Sequence, residues 1–118
     1  LVALPATGAT SPPTVFAAVS ALERPAFVGD TSLWRCINEM AVCRVPLVRV
    51  EGGEPLPLWH TEGIGRRRVA ITPEGRAVAA GRADAVALNG IDRWIGGVHL
   101  TPASCPRWDA ETEQLLFR

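Results

Sequence analysis

The sequence predicts an α+β domain. Three observations carry the prediction. Apolar residues recur at helical spacing over about 12–23 and again over about 31–43. Between 46 and 71 the pattern changes to short alternating runs, as strands require. At 72–81 a Thr-Pro-Glu start and a closing Gly81 bracket one more helix.

Residues 1–11 read as a linker or as the remnant of a preceding helix, because Leu1 to Leu4 is apolar and the segment from Pro5 is loop-like. Ser11 is placed to cap the first helix, with Pro12 at its first position. Val15, Phe16, Val19 and Leu22 make one stripe, and Pro25 ends the helix. Asp30 is the expected cap of the second helix, whose stripe is Leu33, Trp34, Ile37, Met40 and Ala41. Pro46 to Val50 alternates as a strand does, and 51–54 is a turn. Leu56 to Trp59 and Arg67 to Ile71 are expected to pair as a β-ribbon, with Gly63-Ile64-Gly65 at its tip. Helix 73–80 follows, capped by Thr72, and closes the unit 12–81.

Residues 82–118 read as a small β-containing C-terminal extension packed on the same domain. One or two helical turns reach Leu88, and Asn89-Gly90 marks a turn. Trp94-Ile95 and Val98 to Leu100 flank a Gly96-Gly97 break. Pro106 to Asp109 and Gln114 to Phe117 resemble two strands around a polar turn.

The order helix, helix, strand, ribbon, helix resembles the winged-helix superfamily. Many members carry a Leu-Thr-x-x-Gly-Arg segment where the last wing strand enters a helix, and Ile71-Thr72-Pro73-Glu74-Gly75-Arg76 is similar to it. A narrower likeness runs through Gly29 to Trp34, Ala87 to Leu100 and Trp108-Asp109, which looks like the C-terminal part of bacterial domain-of-unknown-function 1835 proteins. That resemblance implies a missing N-terminal domain and brings no activity with it. The start at Leu1 points the same way, to a fragment of a longer protein.

Composition narrows the function classes. The 118 residues suit one domain. All twelve basic residues are Arg, and they balance the acidic residues to a net charge of zero. A dedicated nucleic-acid domain carries a net basic footprint, because phosphate neutralisation supplies most of its non-specific affinity. Here such a footprint is local. No apolar run reaches the roughly 20 residues of a membrane span. A basic start followed by an apolar core, the mark of a signal peptide, is absent. Three Cys without a C-x-x-C pair argue against a disulfide framework and for a reducing cytoplasm.

Arg66, Arg67 and Arg68 are the one charge cluster. On a ribbon, alternation puts Arg66 and Arg68 on one face and Arg67 on the other. As a wing they would touch phosphate; as a plain solvated ribbon they would pair with Glu54 or Glu62 and contribute little. In the recognition position, the second helix offers Arg35 and Asn38 as base readers, beside Asp30 and Glu39, which phosphates repel.

Cys36 and Cys43 are seven apart and share a helix face, but with Cys105, His60 and His99 they lack the short paired spacing of zinc sites. Structural cysteine is expected, with no metal and no cofactor. His99 beside Ser104 and Cys105 invites a nucleophile–base pair, yet there is no Gly-x-Ser-x-Gly elbow. Asp92, Arg93 and Trp94 read as a local ion pair with stacking. Four Trp are many for this length; Trp34 belongs in the core, whereas Trp59 and Trp108 are expected at an interface. The expectation is a non-catalytic interaction module that contacts a protein partner, a preceding domain of its own chain or a second copy as a homodimer. DNA binding through the Arg66–Arg68 wing is the alternative.

Overall fold

The helices of residues 1–83 start at Pro12, Asp30 and Pro73, each preceded by a residue outside the helix. The structure is a computed structural model that describes residues 1–5, 7–22, 29–59, 62–109 and 111–116. Its elements are mixed α and β, and the chain divides into two units, 1–83 and 84–118.

The first unit runs β1 (Ala9–Thr10), α1 (Pro12–Leu22), α2 (Asp30–Val42), β2 (Val48–Val50), β3 (Val69–Ile71) and α3 (Pro73–Ala79). Its sheet has the order β1-β3-β2, antiparallel throughout. Residues of 1–11 contribute to this unit: Ala9 and Thr10 pair with Ala70 and Val69, and Leu4 is buried in the core.

The core gathers Leu4, Val15, Leu33, Trp34, Ile37, Val48, Val50, Leu56, Val69 and Ile71. It comes from helical spacing on α2 and from period-two spacing on β2, where Arg49 faces solvent between two buried valines. The stripe of α1 is buried over its first turns only. Val15 is enclosed and Phe16 and Val19 are half-buried, but Leu22, expected in the core, is exposed because the last turn runs past the cluster. Pro25 lies outside the described residues.

Two local expectations at α2 and the ribbon are also corrected. Gly29 takes the cap position without a side-chain bond, and Asp30 is the first helical residue, its Oδ1 accepting from the Thr31 N–H at 2.6 Å. There its charge complements the helix N-terminus instead of capping it. The partner of β3 is β2, not 56–59: Val48 pairs with Ile71 and Val50 with Val69. Pro57 has no N–H for a ladder, and Leu56 is already used by the core at 2% exposure.

At α3 the cap chemistry is as expected. The Thr72 Oγ1 accepts from the Gly75 N–H at 3.0 Å and donates to the Pro46 carbonyl at 2.7 Å. Pro73 opens the helix, and Gly81 follows its end. Thr72→Ala is expected to cost about 1–2 kcal/mol, read as a lowered urea midpoint, because it removes a cap and leaves the Pro46 carbonyl without that donor. An unchanged midpoint would show that water replaces both bonds.

The second unit holds α4 (Ala85–Asn89), β4 (Arg93–Ile95), β5 (Val98–Leu100), β6 (Arg107–Asp109) and β7 (Gln114–Leu116). They form two antiparallel hairpins, β4–β5 and β6–β7. Gly96 and Gly97, at φ of 56° and 82°, make the two-residue connection of β4–β5; two consecutive positive φ values are what a type I′ hairpin turn needs. Asp84 caps α4, its Oδ1 accepting from the Val86 N–H at 3.1 Å, while its Oδ2 accepts from Arg107 Nη2 at 2.7 Å. Arg107 Nη1 also donates to the Cys105 carbonyl.

The Arg107 guanidinium holds the Asp84 carboxyl below its ordinary value against the opposing effect of desolvation, and the Val86 N–H adds to the lowering. A depressed carboxyl stabilises the fold above its unfolded pKa of about 3.9, and that stability disappears as pH falls through the lower folded value. Acid titration followed by backbone amide NMR is therefore expected to loosen 84–109 below about pH 4. Asp84→Asn should remove this acid-dependent step; its persistence in the variant would assign it to other carboxyls.

Candidate functional site

The basic cluster does not lie on a regular ribbon. Ile64–Arg66 is a 3-10 turn entered through Gly63, and β3 starts only at Val69. The expected strand alternation of Arg66, Arg67 and Arg68 is thus absent. Arg67 turns inward: its Nη2 donates to the Glu54 carbonyl and its Nη1 to the Pro55 carbonyl at 3.4 Å. Arg68 Nη1 donates to the carbonyls of Gly65 at 3.2 Å and Arg67 at 3.0 Å. Two of the three guanidiniums hold their own loop together; Arg66 is exposed.

The outward stripe of α2 is Ser32, Arg35, Cys36, Glu39 and Val42. Asn38 is not available as a base reader. Its Nδ2 donates to the Leu56 carbonyl at 2.9 Å and its Oδ1 accepts from the Leu56 N–H at 2.7 Å. This closed pair pins loop 54–58 to the helix and seats Leu56 in the core. Arg35 therefore stands on this face beside Glu39 without an amide to read bases.

The cysteines are separate. Cys36 is exposed, Cys43 half-buried and Cys105 buried. The shared helix face fails because Cys43 lies past the end of α2 in an extended conformation. Its thiol meets the carbonyls of Met40 and Val45, each at 3.3 Å. Among the described residues no three His, Cys, Asp or Glu side chains gather around a common point. His60 lies outside the described residues.

The β4–β5 hairpin brings Asp92, Trp94 and His99 together. Its register sets Trp94 opposite His99 and Ile95 opposite Val98. The Trp94 and His99 rings stack at 4.6 Å with 4° between planes, and His99 Nε2 lies 2.5 Å from Asp92 Oδ1. A carboxylate only accepts, so this bond places a proton on Nε2. Asp92 thus meets His99 across the hairpin. The Gly96-Gly97 break, as a two-residue hairpin turn, fixes the register and hence these cross-strand neighbours.

This hairpin is exposed on both faces, with Trp94 at 67%, Ile95 at 56% and Val98 at 57%. Trp59 is exposed at 83%, as expected. The side chain of Trp108 lies outside the described part of the structure. Among the described residues of 84–118, Cys105 is the buried one. Two-stranded hairpins are marginal in water without a surface to pack on. No described helix is long and apolar enough to cross a membrane.

No family model, curated protein or solved structure matches this chain. Function is therefore read from residues and geometry alone.

Proposed function

We propose that the chain is a non-catalytic interaction module in which 1–83 is winged-helix-like and binding, including self-association, uses exposed apolar side chains. The observation that carries this reading is the exposure of Trp94, Ile95 and Val98 on one hairpin. Aromatic residues are enriched at interfaces, and a hairpin whose two faces both expose large apolar side chains offers surface for a partner. Trp59 adds a second exposed indole, on the first unit.

The order β1, α1, α2, β2, β3, α3 and the sheet order β1-β3-β2 support the winged-helix part. A place beside the domain-of-unknown-function 1835 proteins belongs to the same proposal and rests on the quoted residues alone. The three free cysteines support a reducing, cytoplasmic setting. DNA binding has less support. Asn38, Arg67 and Arg68 spend hydrogen-bond donors on backbone carbonyls, and the exposed cations of the wing reading are Arg35, Arg66 and an Arg68 already tied to its own loop.

Sedimentation equilibrium across a concentration series tests the reading. A homodimer at micromolar concentration is expected, weakened at least tenfold by Trp94→Ser if this indole is a central anchor. A monomer throughout, together with a dissociation constant tighter than about 10⁻⁸ M for one DNA sequence at physiological salt, would overturn it.

A further inference from the structure

We propose that Asn89-Gly90 is a latent modification site, guarded by the Asp84–Arg107 pair while α4 is closed and converted to aspartate or isoaspartate when α4 opens. Two residue types make the chemistry possible. The Asn89 side chain supplies an amide carbon one bond short of a five-membered ring with the next main-chain nitrogen. Gly90 has no Cβ, so that nitrogen is unhindered and its chain turns freely. Space is available as well: a Cβ at Gly90 would meet only Pro102 Cγ, at 4.0 Å.

In the open chain, hydroxide takes the proton of the Gly90 N–H and the nitrogen bonds to Asn89 Cγ. The Cγ–Nδ2 bond breaks, and ammonia leaves with a proton drawn from water, which restores the hydroxide. Water then adds to the cyclic imide. Addition at Cγ gives aspartate. Addition at the main-chain carbonyl carbon gives isoaspartate, whose chain runs through Cβ and Cγ. Water is the one co-reactant, and nothing is oxidised or reduced.

The closed helix withholds the nucleophile. Asn89 is the last residue of α4, and Gly90 is its C-cap. The Gly90 N–H donates to the Val86 carbonyl at 2.7 Å, so its proton is engaged. A helical ψ of about −42° at the preceding residue aims that N–H back along the helix and holds the nitrogen away from Cγ. Ring closure therefore requires that the Gly90–Val86 bond break and that Asn89 leave the helical conformation.

This protection hangs on a short element. α4 has five residues, and isolated helices under roughly 12 residues are marginal in water. Asp84 closes it: its carbonyl accepts from the Leu88 N–H at 3.0 Å, its Oδ1 from the Val86 N–H and its Oδ2 from Arg107 of β6. The Asp84 and Arg107 side chains are 43% and 22% exposed, so water competes for the pair. Such elements open locally without global unfolding. The product alters the unit. Either form adds a negative charge to a chain of zero net charge, three residues ahead of Asp92. Isoaspartate also lengthens the main chain by one methylene before β4, where Asp92 and Trp94 meet His99. The site does not rest on the interaction reading.

The test incubates the whole chain and a capped peptide of residues 86–92 at neutral pH. Residue 89 is followed by peptide mapping with electron-transfer fragmentation, which separates aspartate from isoaspartate. The peptide, which has no closed α4, is expected to convert at least about threefold faster than the chain. Loss of an N-cap shifts a helix equilibrium by roughly two- to thirtyfold, and Asp84→Ala should speed conversion in the chain within that range. Asp84→Asn keeps an acceptor at the cap and should fall between. Hydrogen exchange at the Gly90 amide measures opening independently, and conversion should rise with it across the three chains. That relation holds even where Asp84→Ala loosens the whole of 84–118. Equal rates in chain and peptide, conversion that ignores Gly90 protection, or conversion at Asn38 ahead of Asn89 would each overturn the proposal.

Discussion

Trp34→Ala is expected to lower the unfolding free energy by about 3–5 kcal/mol, the range for removing a large aromatic side chain from a core. Trp34 is 3% exposed and meets Phe16 with ring centroids 6.2 Å apart. It lies on α2 beside Leu33 and Ile37, and this helix face covers β2. Truncation would therefore open a void between α1, α2 and the sheet. Small domains have about 5–15 kcal/mol in total, so the variant should be largely destabilised at 37 °C. The indole adds a second effect. Its Nε1 is buried without a hydrogen-bond partner among the described residues. A buried unpaired donor costs about 1–3 kcal/mol. Trp34→Phe, which removes that donor and keeps most of the ring, should cost clearly less than the alanine change. Urea denaturation of both variants checks the pair; equal losses would mean that the indole N–H is in fact satisfied.

The comparison between sequence and structure divides along the range of the interactions. The α3 helix was legible because Thr72, Pro73 and Gly75 act on one another within a single turn. The stripe of α2 was legible because helical spacing alone puts Leu33, Trp34 and Ile37 on one side. The Asn38–Leu56 pair spans eighteen residues and has no local mark. With it went the route of 56–59, which looked like a strand by composition and instead belongs to a loop pinned to α2 at Leu56. The wing arginines were misplaced for the same reason: the carbonyls that Arg67 finds, at Glu54 and Pro55, are far from it in the chain. In the hairpin, adjacency pointed to Arg93 as the partner of Asp92, while the two-residue turn carries His99 back to it. Exposure of Trp59 was read correctly, but Trp94 was assigned to a local structural motif because Asp92 and Arg93 precede it, and the lack of a covering layer is a tertiary property.

Gly75→Ala is expected to be about as damaging as a core truncation, although alanine is the better helix former. A Cβ at Gly75 would stand 2.0 Å from the Leu47 carbonyl oxygen and 2.9 Å from Ile71 Cγ1. The first of these is backbone, so no rotamer change relieves it. Nor is that carbonyl loose. It accepts from the Thr72 N–H at 3.1 Å, and the neighbouring Pro46 carbonyl accepts from the Thr72 hydroxyl at 2.7 Å. Leu47 itself is buried at 5%. Making room for one methyl group thus means shifting α3 away from 46–47 and breaking or stretching both bonds. Overpacking costs about 1–3 kcal/mol and an unmet buried carbonyl about 1–3 more. Helix propensity returns only about 1 kcal/mol. The expected net loss is about 1–5 kcal/mol, read from urea unfolding, with loss of protection at the Thr72 amide in hydrogen exchange. The two measurements separate the causes. A destabilised variant that keeps Thr72 protection would locate the strain at Ile71 and not at the Leu47 carbonyl. A variant of unchanged stability would show that α3 is not seated on 46–47, and the close approach of helix to strand that organises this end of the first unit would have to be redrawn.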